Sequence, residues 1–272
     1  RSLTGTKSPE RPADRLIVHP DVRRMLLTIK ALNEGNRAFI HYVSQLSDLE
    51  LHGNDQQKQE GGELLALLTP IAKGFMTEAG LEAANIGVQV FGGHGYIREW
   101  GMEQSIRDAR ISTLYEGTTG IQALDLLGRK VMGDGGKTLT QFITLIANDL
   151  TEMDDEFSGP LGEKLQEWSD LAQTIGAAAM NNADEVGGAS VDYLMYSGYV
   201  ILAWMWGRMA TLAKEKLTDN DDVFYLAKVS TAKFYFQKLL PRTESLKTTI
   251  ETGAQSLMDI SDEEFEQLAE IC

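Results

Sequence analysis

Residues 20–50, PDVRRMLLTIKALNEGNRAFIHYVSQLSDLE, decide the fold class of this chain. Their apolar side chains recur at steps of three and four, at Val22, Met25, Leu26, Ile29, Leu32, Phe39, Ile40, Val43 and Leu46. This spacing places them on one face of a long amphipathic helix, which we predict over 20–50. Sustained two-residue alternation, the mark of a half-buried strand, occurs nowhere in the 272 residues. The sequence therefore predicts an all-α protein.

Further periodic segments predict helices at about 63–91, 102–110, 118–132, 138–156, 161–185, 189–217, 221–239, 242–257 and 262–270. A polar break at 52–62 and a glycine-rich break at 91–96 interrupt the first half. The turn MGDGGK, 132–137, is the strongest internal boundary. We therefore predict an antiparallel four-helix-bundle-like domain over 1–133, followed by a second helical bundle over 134–272.

The overall charge narrows the classes of partner. A net charge of −15 argues against binding to nucleic acid or to an anionic membrane surface.

The longest apolar run, 198–207, is shorter than the ~20 residues of a membrane span, which favours a buried core helix. The four histidines have no partner at a metal-ligand spacing, so we predict no metal site. The single cysteine, Cys272, excludes an intrachain disulfide and favours a reducing, cytoplasmic location.

The stretch LYEGTTGIQ, residues 114–122, has two interpretations. In the structural one, Thr119 and Gln122 form a capping box and Glu116 is an acid near the positive end of the helix dipole. In the functional one, the helix start binds a phosphate or the polar edge of a flavin, and Gly117 admits a ligand close to the backbone. Glu116 would then be a catalytic base, provided that burial raises its proton affinity. Local spacing alone favours the structural interpretation.

A longer stretch favours the functional one. Residues 89–122 read QVFGGHGYIREWGMEQSIRDARISTLYEGTTGIQ. A Gln, a Gly-Gly pair, a Gly-aromatic pair, RDA and YEGT follow one another here in the order and spacing typical of one family. With the two helices before it, this region resembles the C-terminal helical domain of the acyl-CoA dehydrogenases, and the resemblance covers about residues 1–133.

The resemblance implies α,β-dehydrogenation of an acyl-CoA thioester to the trans-2-enoyl thioester. Glu116 would remove the α proton while the β hydrogen leaves as hydride to FAD. The backbone N–H of Glu116 would help to bind the thioester oxygen. Tyr115 and Gly117 would line the substrate pocket.

Contacts to FAD are implied at four positions. Gln89 and Gly93 match residues that reach the ADP part of a neighbouring subunit's FAD, and Thr118 matches a residue that bonds the cofactor near the helix start. Gly120 stands where the family commonly has Gln, so the side-chain bond is absent and a backbone contact is the one contact that the resemblance implies there. Gln122 fits either the cofactor or the capping box, and the capping box is preferred.

The second bundle resembles the additional helical domain of larger bacterial members of the family, such as those acting on 3-methylmercaptopropionyl-CoA. The resemblance further implies fatty acid β-oxidation, a homodimer or homotetramer, and an electron-transferring flavoprotein as acceptor, with an oxidase-like release of hydrogen peroxide as the alternative. The family's N-terminal and middle domains are not in this sequence, so the chain alone is expected neither to retain FAD nor to turn over. A non-catalytic helical assembly or binding module of the same fold is the second hypothesis.

Overall fold

The computed structural model describes residues 2–218 and 221–269, so the prediction that concerns Cys272 lies outside the described residues. No strand occurs in the described part of the chain, and the prediction of an all-α fold is confirmed. The helices are α1 Pro20–His52, α2 Asp55–Phe91, α3 Gly93–Tyr96, α4 Met102–Ser112, α5 Thr119–Leu124, α6 Lys137–Asp149, α7 Asp155–Ala179, α8 Asp184–Leu217, α9 Val223–Lys238, α10 Arg242–Glu251, α11 Gln255–Met258 and α12 Asp262–Ala269.

Helices α1 and α2 form an antiparallel hairpin, because only Gly53 and Asn54 separate them. The predicted polar break at 52–62 is wrong beyond these two residues. Asn54 accepts a hydrogen bond from the Gln57 backbone N–H, and the Gln57 side chain accepts one from the Asn54 N–H, both at 3.0 Å. This capping box starts α2 at Asp55, eight residues before the predicted start.

Helix α2 is the one helix in the described ranges that is long and apolar enough to cross a bilayer by length and composition. Core helices of soluble proteins meet the same criterion, and 44% of its apolar window is buried inside this protein.

The fourth predicted helix, 118–132, occurs as α5 and a π-helical continuation, Asp125–Val131. The turn after it leads directly into α6. Both carboxylate oxygens of Asp134 accept bonds there, from the N–H groups of Gly136, Lys137 and Thr138 and from the Thr138 hydroxyl. Burial would raise the pKa of the Asp134 carboxyl, but these hydrogen bonds lower it below its ordinary value.

Two predicted boundaries around Pro160 are wrong. The helix predicted over 138–156 ends at Asp149, where the 3-10 turn Leu150–Glu152 follows. The next helix begins at Asp155, six residues before the predicted start, and Pro160 lies in its second turn. A proline is tolerated so near a helix N-terminus because few intrahelical bonds are lost.

Two further boundaries differ near glycines. Helix α8 begins at Asp184, five residues before the predicted start, and its first turns contain Gly187 and Gly188. The segment predicted as one helix over 242–257 divides at Gly253, whose φ of 72° ends α10.

Helix α8 is the centre of the core. Every residue from Tyr196 to Gly207 is buried, which confirms that the apolar run is a core helix. The indole N–H of Trp206 donates to the Ala31 carbonyl of α1 at 3.0 Å, and that of Trp204 donates to Asp149 at 2.8 Å. Buried residues of both predicted domains therefore form one continuous core, while their division at residue 133 stays a prediction.

The tightest crossing in this core joins α8 to α2. A Cβ added at Gly198 would lie 2.1 Å from Cγ of Phe75, closer than atoms approach in proteins. The Phe75 ring also packs edge-on against Tyr199 at 5.0 Å. Glycine at 198 is thus required for the two helix backbones to approach each other.

We expect Gly198→Ala to lower the free energy of unfolding by about 1–3 kcal/mol or more, because Phe75 or α8 must shift to accommodate the methyl group. Gly187→Ala is the matched control in the same helix, since no heavy atom lies within 4 Å of its added Cβ. Alanine there should stabilise the protein by up to about 1 kcal/mol. Urea unfolding of both variants tests this, and equal midpoints would contradict the close crossing.

Candidate active site

The candidate site is the loop 113–118, which connects α4 to α5. Thr113 closes α4: its backbone N–H donates to the Arg110 carbonyl, and its buried hydroxyl accepts a 2.6 Å bond from the Arg110 guanidinium. The N–H of Tyr115 donates to the Ile111 carbonyl at 3.3 Å. These bonds turn the chain sharply after α4, so that the next residues run across α2 before α5 begins.

Glu116 has an unusual backbone conformation. Its φ is 54°, and it is the one non-glycine residue with a positive φ in the described ranges. A left-handed conformation costs a non-glycine residue about 1–2 kcal/mol, so surrounding contacts must stabilise it. The Gln122 side chain supplies one such contact, a 3.2 Å hydrogen bond from Nε2 to the Glu116 carbonyl.

Gly117 is required beside this bond. Its φ is 92°, and a Cβ there would lie 2.5 Å from the Gln122 Nε2 atom. Any side chain at 117 would therefore displace Gln122 from the Glu116 carbonyl as well as straining the backbone.

Helix α2 holds both ends of the loop. The Lys73 ammonium donates to the Ser112 carbonyl and lies 5.3 Å from the centre of the Tyr115 ring. At the other end, the Thr119 hydroxyl donates to Glu78 at 2.5 Å. Sequence reasoning missed Lys73 and Glu78, because these contacts join residues 39 and 41 positions apart and no local pattern marks them.

The start of α5 corrects the predicted capping box. Thr118, not Thr119, is the N-cap, and its hydroxyl accepts a 3.3 Å bond from the Ile121 N–H. The Gln122 side chain bonds to Glu116 and not to the threonine backbone. The Thr119 hydroxyl is instead directed to α2. Two adjacent threonines compete for the capping position, and spacing alone selected the wrong one.

The predicted site residues divide into two groups. Tyr115, Glu116, Gly117, Thr118 and Gly120 lie together at the loop and the start of α5. The second group, Gln89 and Gly93, is exposed at the far end of α2. Gln89 follows Glu78 by eleven residues on one helix, a distance of about 16 Å along the axis. The chain therefore does not bring the two groups together.

The turn that carries the second group is surrounded by exposed apolar side chains. Phe91, Tyr96, Ile97 and Trp100 are each about half or more exposed, with Tyr96 at 83%. Phe91 and Trp100, together with Leu16 and His94, line a cleft of about 390 Å³. We call Phe91, Tyr96, Ile97 and Trp100 the apolar turn patch. Exposed apolar surface of this kind is typical of an interaction site.

Glu116 and Tyr115 are exposed in this chain, so the described residues alone do not enclose the candidate base. No group of three or more His, Cys, Asp or Glu side chains within 2–218 and 221–269 is arranged to hold a metal ion.

Two family models match the chain. The model for the acyl-CoA dehydrogenase C-terminal domain matches residues 4–132. A second model, acetyl-CoA dehydrogenase C-terminal like, matches residues 137–261.

Among curated relatives, 3-methylmercaptopropionyl-CoA dehydrogenase of Ruegeria pomeroyi is 38% identical over 255 residues, covering 90% of this chain and 43% of the relative. The broad-specificity linear acyl-CoA dehydrogenase FadE5 of Mycobacterium tuberculosis is 31% identical, covering 96% of this chain and 46% of the relative. The chain thus spans less than half the length of these relatives.

Two solved structures share the fold. They are Caenorhabditis elegans ACDH-11 in complex with C11-CoA and an acyl-CoA dehydrogenase from Bacillus anthracis complexed with FAD. Each superposes with a TM-score of 0.64 at 16% identity, over 93% and 94% of this chain and 42% and 46% of theirs. The two family models, which together match most of the sequence, show that the chain belongs to the acyl-CoA dehydrogenase family, whose members are FAD-dependent oxidoreductases.

Proposed function

We propose that this chain is the C-terminal helical part of an FAD-dependent acyl-CoA dehydrogenase in which Glu116 is the catalytic base. The substrate would be an acyl-CoA thioester and the product the trans-2-enoyl thioester. One observation carries the proposal: Glu116 alone among the described non-glycine residues has a left-handed backbone, in a loop held from two helices. Such strain persists where a side chain must be aimed at a ligand.

The chemistry assigned to this loop has two parts. A proton on the carbon next to a thioester is weakly acidic, so the carboxylate that removes it works only if negative charge on the carbonyl oxygen is stabilised. The backbone N–H of Glu116 has no acceptor among the described residues, which leaves it free to donate to that oxygen. The residue would therefore accept the proton through its side chain and stabilise the resulting charge through its backbone.

FAD, when bound, accepts the hydride from the β carbon. Thr118 and Gly120 would contact the cofactor beside Glu116, where the first-turn N–H groups of α5 lack intrahelical acceptors. Gln89 and Gly93 would contact the cofactor of a second subunit. The backbone is accessible at both glycines, since no heavy atom lies within 4 Å of a Cβ added at Gly93 or Gly120.

A carboxylate becomes a strong enough base only when it is removed from water. Glu116 is exposed in this chain, so we propose that the bound thioester and those parts of the enzyme that the relatives have outside the matched region cover it.

We expect Glu116→Gln in the complete dehydrogenase to abolish bleaching of the flavin by acyl-CoA, because the amide cannot accept the α proton. The flavin absorbance of the purified variant should stay unchanged, since the backbone contacts remain. Anaerobic stopped-flow absorbance measures the bleaching, and Glu152→Gln, an exposed acid remote in sequence, is the control.

Bleaching that survives Glu116→Gln would overturn the assignment of the base. A wild-type protein that purifies without flavin would favour the non-catalytic helical assembly instead.

We further propose an electron-transferring flavoprotein as the electron acceptor. Reoxidation of the reduced enzyme by that flavoprotein should then be much faster than reoxidation by oxygen with release of hydrogen peroxide.

The left-handed backbone at 116 also predicts that residue 116 contributes conformational strain to the folded state. Glycine adopts this conformation without strain, so Glu116→Gly should be more stable than Glu116→Ala by about 1 kcal/mol, although both lack the carboxylate. Thermal unfolding of the two variants measures the difference. A Glu116→Ala variant as stable as the glycine variant would contradict the strain.

We further propose a homodimer or homotetramer in which the apolar turn patch lies at a subunit interface, close to Gln89 and Gly93. Trp100→Glu should then dissociate the assembly and lower its FAD content, because a charge at a buried interface is costly. Met180→Glu is the control, as this residue is 88% exposed and lies outside the patch. Analytical ultracentrifugation together with flavin absorbance measures both effects, and an unchanged mass for Trp100→Glu would exclude this interface.

A further inference from the structure

Glu78 of α2 contacts the loop that carries the proposed base, yet no feature of the resemblance assigns it a role. Its Oε1 atom accepts the Thr119 hydroxyl at 2.5 Å, its one hydrogen bond among the described residues. Thr119 is three residues from Glu116 and directly follows the N-cap of α5. A hydrogen bond to a carboxylate is shorter and stronger than one between neutral groups.

This bond is not needed to begin the helix. Thr118 already caps α5 by accepting the Ile121 N–H. A threonine in the first helical turn is otherwise free to direct its hydroxyl to solvent. The contact instead fixes the start of α5 against α2, and hence the position of the residues immediately before it.

The surroundings keep Glu78 available for this contact. Glu82, one helical turn further along α2, would repel a second carboxylate at that spacing. The Arg242 guanidinium binds both oxygens of Glu82, at 2.8 and 2.7 Å, and so compensates its charge. Glu78 has no such cation within residues 2–218 and 221–269, and it accepts the Thr119 hydroxyl instead.

Lys73 holds the opposite end of the loop by donating to the Ser112 carbonyl. Two side chains five residues apart on one rigid helix therefore fix both ends of a segment whose centre has the strained φ of 54°. A loop fixed at only one end could relax from this conformation and move the Glu116 carboxylate.

We propose that Glu78 is a positioning residue for the Glu116 base and acts through the Thr119 hydroxyl, with Lys73 fixing the other end of the loop. The inference rests on the function proposed above and extends it to a pair of residues outside the loop. Glu78 does not touch the substrate, so its loss should lower the rate of proton removal and leave substrate affinity unchanged.

The test is a mutant cycle in the complete dehydrogenase. Thr119→Val removes the hydroxyl at constant shape, and Glu78→Leu removes its acceptor. We expect each to slow flavin reduction by acyl-CoA about 10- to 100-fold, because displacement of a catalytic group by about 1 Å has an effect of this size. The double variant should be no slower than either single one, since both remove the same contact.

Conservative variants separate positioning from a general structural role. Thr119→Ser and Glu78→Gln retain the donor and the acceptor, so both should reduce the flavin within about threefold of the wild-type rate. Thr140→Val is the matched control, because the exposed hydroxyl of Thr140 bonds only to its own helix. Flavin content and the substrate dissociation constant are measured for every variant and should be unchanged.

Reduction within twofold of wild type in Thr119→Val would overturn the proposal. So would an equal loss in Thr119→Ser, or a loss that accompanies lower flavin content or weaker substrate binding. Failure of the function itself is distinct: wild-type flavin would then not be reduced by acyl-CoA at all, or Glu116→Gln would still react, and the positioning role would fall with it.

Discussion

The contact between Gly198 and Phe75 is the constraint on which the rest of this structure depends. It brings the backbone of α8 against α2, and no residue larger than glycine fits at 198 without movement. Phe75 lies between Lys73 and Glu78 on α2, so the crossing fixes the rotation and height of the segment that contacts the loop. Gly74 extends the same close packing, since a Cβ added there would meet Leu194 of α8 at 2.8 Å.

This arrangement gives the second half of the chain a role in positioning the first. Helix α8 belongs to the predicted additional domain, yet it packs on α1, α2 and α5 in one core. Arg242 of α10 reinforces the contact by binding Glu82 of α2 and the Tyr199 hydroxyl of α8. A domain attached by a flexible linker could not affect the loop at 113–118, whereas one that shares the core of α2 can.

The sequence predicted this organisation in the segments whose apolar residues recur at helical spacing. The long spacing pattern of α1 and the apolar run of α8 each follow from burial, which depends on side-chain order along one helix. Boundaries failed where capping chemistry decided them: Asn54 and Gln57 start α2 within a polar segment that composition alone suggests is a loop. The pattern YEGT identified the loop of the candidate site but not its supports, because the bonds of Lys73 and Glu78 arise only when distant segments pack together.

The backbone at Glu116 explains why such supports are needed. A glutamate in an unrestrained exposed loop would adopt a negative φ, because a positive φ raises the local energy of a non-glycine residue. Gln122, Lys73 and Glu78 instead hold the loop at its carbonyl groups and at the helix start, which leaves the carboxylate and the N–H of Glu116 unbonded to the described residues. These contacts thereby keep two reactive groups of one residue available in a fixed orientation. Flexible tethering would leave them equally accessible but without the alignment that proton removal from a weak carbon acid requires.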